Sequence, residues 1–461
     1  MSVMQKLFRP VDMTKGDPVK NIIQFAVPML LGNIAQQLYN TVDSIIVGRY
    51  VGDNALAAVG SAGPILNLML VLFMGISTGA SIMVAQYFGA REREHLSRTI
   101  GACLSLTLIA SVIIMIIGPV ISRPLLRLLN TPESIIGWCQ AYLTIIFLGI
   151  AGGGYYNILA GVLRGLGDSV SALVYLLVAT ILNIILDWTF VAKFGMGVPG
   201  VAWATIIAQF VSALLSIRKL TRMTDLFDMK KEYLNPRNRF SRDLIRLGLP
   251  SGITQAIFSM SMIIVQSLTN SFGEMYIAAN VIVMRIDGFV MMPAFSFGSA
   301  MTTFSGQNIG ARRMDRVDEG TRKGTLTAMG VSAVLTVIIL LFGRYLMAIF
   351  TKTEALISLS NTMMRILAVG YIAMEVTQCL SGIMRGAGDT MTPMWISLIN
   401  TVVIRVPLAY ILVWLSRTPE LPQGNCLMMQ VSLLATWVIG AMMTFIAFKR
   451  GNWRTKAMPA K

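Results

Sequence analysis

Residues 161–169 read GVLRGLGDS and residues 382–390 read GIMRGAGDT, so one Arg-Gly-x-Gly-Asp turn is written twice in this 461-residue chain. At the same shift of 221, QYFGARERE at 86–94 returns as QNIGARRMD at 307–315, and LLRLLNTPESI from Leu125 returns as LMAIFTKTEAL from Leu346. Three pairs in one register make the chain a single unit written twice. Two homologous halves are how membrane transporters build a central site that opens to either side.

Outward from these turns, short polar loops alternate with long apolar runs. Hydrophobic residues make up 55% of the chain and charged residues only 13%. The runs reach about 20 residues or more, enough to cross a bilayer as helices. Six lie near 20–47, 56–86, 99–121, 134–160, 170–192 and 199–217 (spans 1 to 6), and six near 244–270, 276–305, 324–343, 355–381, 391–415 and 426–448 (spans 7 to 12). The expected fold is an all-α membrane protein of twelve transmembrane helices in two six-helix bundles. These are an N-lobe over 1–217, a cytoplasmic linker over 218–243, and a C-lobe over 244–461 that ends in a cytoplasmic tail. An even number of spans per half makes the repeats parallel, related by a pseudo-two-fold axis along the membrane normal.

Charge placement sets the orientation. Of 38 Lys and Arg, 28 fall in the N-terminus, the loops after even-numbered spans and the C-terminus, and 7 in the other loops. Arg285, Arg365 and Arg405 lie inside spans. The positive-inside rule then puts both termini and the linker in the cytoplasm. The formal charge of +16 is a topology signal spread over short loops, and calls for no nucleic-acid partner. Span 1 follows a polar, basic stretch with no small-residue cleavage site, so it is not expected to be a removable signal peptide.

Motifs for chemistry are missing. Gly-Lys never occurs, which excludes a Walker A loop, and Gly165-Leu166-Gly167 lacks the third glycine of a dinucleotide loop. The one histidine, His95, sits in a cytoplasmic loop, and Cys103, Cys139, Cys379 and Cys426 have no CxxC spacing. Neither an enzyme nor a cofactor is expected. Gly152, Gly153 and Gly154 suggest a loosened or closely packed segment in span 4.

Four carboxylates remain within spans: Asp43, Asp187, Asp287 and Glu375. Each costs on the order of a few kcal/mol at membrane depth unless it is paired, hydrated or protonated, so each is a functional candidate; the structural alternative is an ion pair between helices. Gln36, Tyr39, Asn40 and Asp43 follow the spacing of one helical face, as do Thr180, Asn183 and Asp187 on span 5. Both aspartates come late in helices that leave the cytoplasm, so two polar faces converge in the outer half of the N-lobe. Thr205 and Asn157 can add oxygens. The set suits a proton or a hard cation such as Na+ at Asp43 and Asp187; the alternative is a water-lined wall.

The duplication is an internal control. Val265 stands opposite Asp43 and Leu408 opposite Asp187, so the bundle does not need those carboxylates. Conversely, Arg285, Asp287, Glu375 and Arg405 stand opposite Pro64, Leu66, Gly154 and Ile184, and form either part of a C-lobe cavity or an ion-pair network. Gln255, Ser259, Met262 and Gln266 share one face of span 7 and are the better candidates for lining a C-lobe cavity. Pro28 aligns with Pro250, and a proline inside a span removes a backbone hydrogen bond, which makes Pro28 a candidate hinge.

The twelve-span duplication, the VPMLLGN and TVDSIIVG stretches of span 1, the GAR loops and the RGxGD turns resemble the multidrug and toxic compound extrusion (MATE) family over essentially the full chain. The resemblance is closest to DinF-like and MepA-like bacterial members, whose aspartate in the first helix and Asn-x-x-x-Asp in the fifth match Asp43, Asn183 and Asp187. It implies export of small amphipathic, often cationic drugs or metabolites across the bacterial cytoplasmic membrane in exchange for H+ or Na+, by a monomer surrounded by membrane lipids. Span 7 has no acid, a departure from NorM-like members that disfavours a C-lobe sodium site. The other readings are a lipid-linked or metabolite flippase of the same superfamily and, from a different class, a membrane enzyme or scaffold.

Overall fold

The computed structural model describes residues 10–129 and 131–456. Among them every regular element is a helix, and the only extended pairing is an isolated bridge between Thr418 and Leu421. Among the described residues, nine helices are long and apolar enough to cross a membrane, and two further spans are bent pairs. Span 4 breaks between Glu133–Leu148 and Ile150–Gly165 with a 55° bend, and span 10 between Glu354–Ala368 and Gly370–Gly386 with a 45° bend. Gly149 and Gly370, at the two breaks, are repeat counterparts. The run of Gly152 to Gly154 lies beyond the break in regular helix and is closely packed: a Cβ on Gly154 would sit 2.6 Å from the Phe73 ring.

Span 1, Pro18–Tyr50, completes the twelve. Its 33 residues extend roughly 50 Å at 1.5 Å per residue. It is not among the helices that are apolar enough by composition, because Asn33, Gln36, Gln37, Asn40 and Asp43 interrupt it. The outward surface elsewhere is apolar: Val120, Leu341 and Ile349 are each more than two-thirds exposed, the reverse of a water-soluble surface and what hydrocarbon requires.

The repeated turns have repeated geometry. Arg91 and Arg312 both end their helices in the left-handed region, at φ 60° and 59°. Backbone bonds close both turns, from Glu92 to Tyr87 at 3.0 Å and from Arg313 to Asn308 at 2.8 Å. Gly167 and Gly388 take φ of +86° and +89°, where a side chain would be strained, and this explains the second glycine of RGxGD. The next residue, Asp168 or Asp389, is buried and accepts from the backbone N–H and the hydroxyl of Ser171 or Thr392, capping the following helix.

The compact units do not divide at the linker. One contains Val27–Gly252, and the other contains Met13–Ala26 with the chain from Ile253 onward. Linker residues belong to the first because they pack on span 3 (Arg93–Leu128): Arg93 pairs with Asp228 at 2.7 Å, and Ser105 donates to the Leu234 carbonyl at 2.5 Å. The start of span 7 (Arg239–Asn270) joins the same unit through backbone contact of Gly248 with Gly75. The divisions at 26/27 and 252/253 fall inside helices, within three residues of Pro28 or Pro250.

Candidate functional site

The N-lobe site is assembled by spans 1, 4, 5 and 6. On span 5 (Ser169–Asp187), Thr180, Asn183 and Asp187 are all buried, and Asp187 is the last α-helical residue before a π-helical turn, Trp188–Lys193. Such turns recur at functional sites. Asp43 of span 1 is partly buried, and its carboxyl comes within hydrogen-bonding reach of the Asp187 carboxyl. Among the described residues no protein N–H or hydroxyl reaches either oxygen of Asp187, Oδ1 of Asp43 or the amide oxygen of Asn183, and no protein acceptor takes a hydrogen bond from the Asn183 amide nitrogen.

Buried polar atoms are normally satisfied. Two carboxylates that meet with no donor have either a shared proton or a bound cation to hold them together. Beside them, Tyr39 donates its hydroxyl to Thr205 Oγ1 at 3.3 Å, which places Thr205 of span 6 (Gly197–Thr221) at the same site. The oxygens of Asp43, Asp187, Asn183, Thr205 and Tyr39 form a donor set suited to a proton or a hard monovalent cation.

The remaining N-lobe candidates are less engaged. Asn157 donates its amide to the Gly153 carbonyl of its own helix at 2.8 Å, and Thr180 donates to Leu176 at 2.9 Å. Gln36 and Asn40, on the same helical face as Asp43, are exposed. Tyr142 escaped sequence reasoning. It is buried on the first half of span 4, within electrostatic range of Asp43, Tyr39 and Asp187. It reads as an ordinary core aromatic, but its repeat counterpart is Met363, a difference that could have flagged it.

In the C-lobe, the four charged residues do not join into one network. Asp287 accepts a hydrogen bond from the Tyr371 hydroxyl at 2.7 Å and feels Arg405 electrostatically without contact. Glu375 is buried, with Oε2 unpartnered and no basic group against it. Arg285 is exposed, because two residues along a helix turn it about 200° away from Asp287. Gln255, Ser259, Met262 and Gln266 are all exposed along span 7, and Gln266 bonds Asn270 at 2.8 Å.

Comparison with known proteins matches the MatE family model over residues 28–189 and again over 250–411, the two halves of the duplication. The probable multidrug resistance protein YoeA of Bacillus subtilis (strain 168) is 31% identical over 395 residues, covering 84% of this chain and 85% of that protein. YpnP of the same organism, also described as a probable multidrug resistance protein, is 29% identical over 96% of this chain and 97% of its own length. A solved outward-facing structure of a multidrug resistance MATE family transporter superposes with a TM-score of 0.87 at 26% identity, covering 95% of this chain and 97% of that one. With a family model spanning both halves and the same fold over nearly the whole length, this chain belongs to the MatE family of membrane transporters.

Proposed function

We propose that this protein exports small amphipathic, chiefly cationic compounds across the bacterial cytoplasmic membrane by antiport against H+, with the Asp43–Asp187 pair as the coupling group. The observation that carries this reading is the meeting of the two carboxyls with no protein donor at Asp187. The multidrug names of the relatives supply the substrate class. The proton belongs to the pair and not to one aspartate, because groups this close titrate together. Proton loss leaves a negative site that favours a cationic substrate, and reprotonation from outside releases it. The chain works as a monomer with both termini in the cytoplasm.

Na+ is the second reading, favoured by the unpartnered Asn183 oxygen beside the pair. Energetics constrain both. One charge crossing about 150 mV releases roughly 3.5 kcal/mol. One-for-one exchange of monovalent cations draws nothing from voltage, so strong export of cations requires two protons per cycle or the pH difference alone.

The test is ethidium efflux from proteoliposomes under separate H+ and Na+ gradients, for wild type and Asp43→Asn. Efflux driven by one gradient and lost in the variant is expected. No gradient-driven transport in wild type, or full coupling in Asp43→Asn, would overturn the assignment.

A further inference from the structure

The C-lobe carries a second charged constellation that coupling at Asp43 and Asp187 does not use. Asp287 lies about 20 Å along its helix from Glu274, and Arg405 about 21 Å along span 11 from Met391. Both are therefore deep in the membrane. Tyr371 holds Oδ1 of Asp287 at 2.7 Å, leaving the second oxygen available. Arg405 is close enough to influence Asp287, but no ion pair within 4.0 Å joins them, and no acceptor among the described residues takes a hydrogen bond from its guanidinium.

A structural ion pair at this depth would be closed, because an uncompensated guanidinium in hydrocarbon is expensive. Nor does the bundle need these groups: the repeat counterparts of Asp287, Tyr371 and Arg405 are Leu66, Ile150 and Ile184. What remains is an open pair of opposite charges, one a planar fork suited to bidentate binding of a carboxylate, the other an oriented carboxylate suited to an ammonium. A ligand of net charge zero with both groups would satisfy both ends without leaving a net buried charge.

We propose that Arg405 and Asp287 form a recognition subsite for zwitterionic substrates, in which Arg405 binds the carboxylate and Asp287, positioned by Tyr371, binds the cationic nitrogen. This rests on the reading of the protein as a small-molecule exporter but not on the coupling mechanism, so it is tested by equilibrium binding with no gradient. The probes are rhodamine 110, whose carboxylate makes it a zwitterion, and its methyl ester rhodamine 123, which is a cation. Binding to the full-length protein in nanodiscs is followed by fluorescence polarisation.

Arg405→Ile installs the side chain found at Ile184, the repeat counterpart. It is expected to weaken rhodamine 110 at least tenfold while leaving rhodamine 123 within about twofold; Asp287→Asn should weaken both dyes. Arg405→Lys, which keeps the charge but loses the fork, should lose part of the rhodamine 110 affinity and none for the ester, and serves if the isoleucine variant folds poorly. Equal weakening of both dyes in the Arg405 variants, or no change in either, would overturn the proposal. Asp43→Asn should leave the preference between the dyes intact, so a failed coupling assignment and a failed subsite are separable.

Discussion

Tyr39 on span 1 donates its hydroxyl to Thr205 on span 6 at 3.3 Å, immediately beside two carboxyls that have no protein donor of their own. The tyrosine could have satisfied one of those carboxylates and instead bonds a neighbour. Tyr39→Phe should therefore remove the link between spans 1 and 6 while leaving the carboxyl pair in place. The loss is expected to be about 0.5–1.5 kcal/mol of stability, with the rate of dye efflux falling several-fold and its gradient requirement retained. Thermal unfolding and proteoliposome efflux measure the two; loss of gradient dependence would mean that Tyr39 is part of the coupling group itself.

Replacing one carboxyl of the pair by an amide supplies the missing N–H donor. Asp187→Asn is expected to raise stability by about 1–3 kcal/mol, the penalty an unsatisfied buried polar group otherwise imposes, while abolishing coupled transport. This opposition of stability and activity is common where a site holds unsatisfied groups for function. Thermal unfolding in detergent together with efflux decides it, and a variant that is both less stable and inactive would indicate that Asp187 has a structural role.

The duplicated turns make a paired prediction. A Cβ on Gly161 would meet the Ser77 carbonyl at 2.5 Å, and one on its counterpart Gly382 would meet the Gly298 carbonyl. Gly161→Ala and Gly382→Ala should each destabilise by about 1–3 kcal/mol through overpacking. Gly137→Ala, with nothing within 4 Å, should be neutral or slightly stabilising, as alanine is the better helix former. Equal shifts at all three sites would refute the close approach.

Much of this was legible because duplication turns one sequence into its own comparison. The shift of 221 carried the turns at Arg91 and Arg312 and the caps at Asp168 and Asp389, since backbone geometry there demands particular residues. The repeat also singled out Asp43 and Asp187, whose counterparts, at shifts of 222 and 221, are the apolar Val265 and Leu408. Tyr142 was not legible, because burial near a carboxyl pair depends on how the first half of span 4 packs among its neighbours, which no local pattern encodes. The bend at Gly149 was masked by the more conspicuous glycines that follow it. The C-lobe charges were visible, but whether Arg405 closes onto Asp287 depends on a distance between helices.

The linker should be insensitive to pH across the physiological range. A hydrogen-bonded contact with Arg93 holds the Asp228 carboxyl below the usual carboxylate range. A depressed carboxylate contributes stability that is present above its unfolded value of about 3.9 and is lost as pH falls through the lower folded value. Hydrogen-exchange protection over residues 224–234, corrected for the pH dependence of the intrinsic rate, is therefore expected to be constant from about pH 8 to pH 5 and to fall only below about pH 4, whereas Arg93→Gln should lower it throughout. A transition near pH 6 in wild type would assign the docking to a different group.

Pro28 lies one residue past the division between compact units at Ala26 and Val27, and Pro250 lies just before the matching division at Gly252 and Ile253. The helix runs unbroken through Pro28, yet its nitrogen has no hydrogen to give the carbonyl four residues earlier, so this turn is the weakest point of span 1. A bend there would move the outer part of the helix, with Asp43 about four turns away, relative to the first turns that belong to the other unit. Pro28→Ala restores the backbone bond and is expected to stabilise one conformation, slowing efflux several-fold and altering its pH dependence without abolishing substrate binding. Pro250→Ala, on a span whose apolar stretch 244–270 carries no carboxylate, should slow transport while leaving the pH dependence unchanged. If Pro28→Ala transports at the wild-type rate with the same pH profile, the proline is a static feature of the helix and the hinge assignment fails.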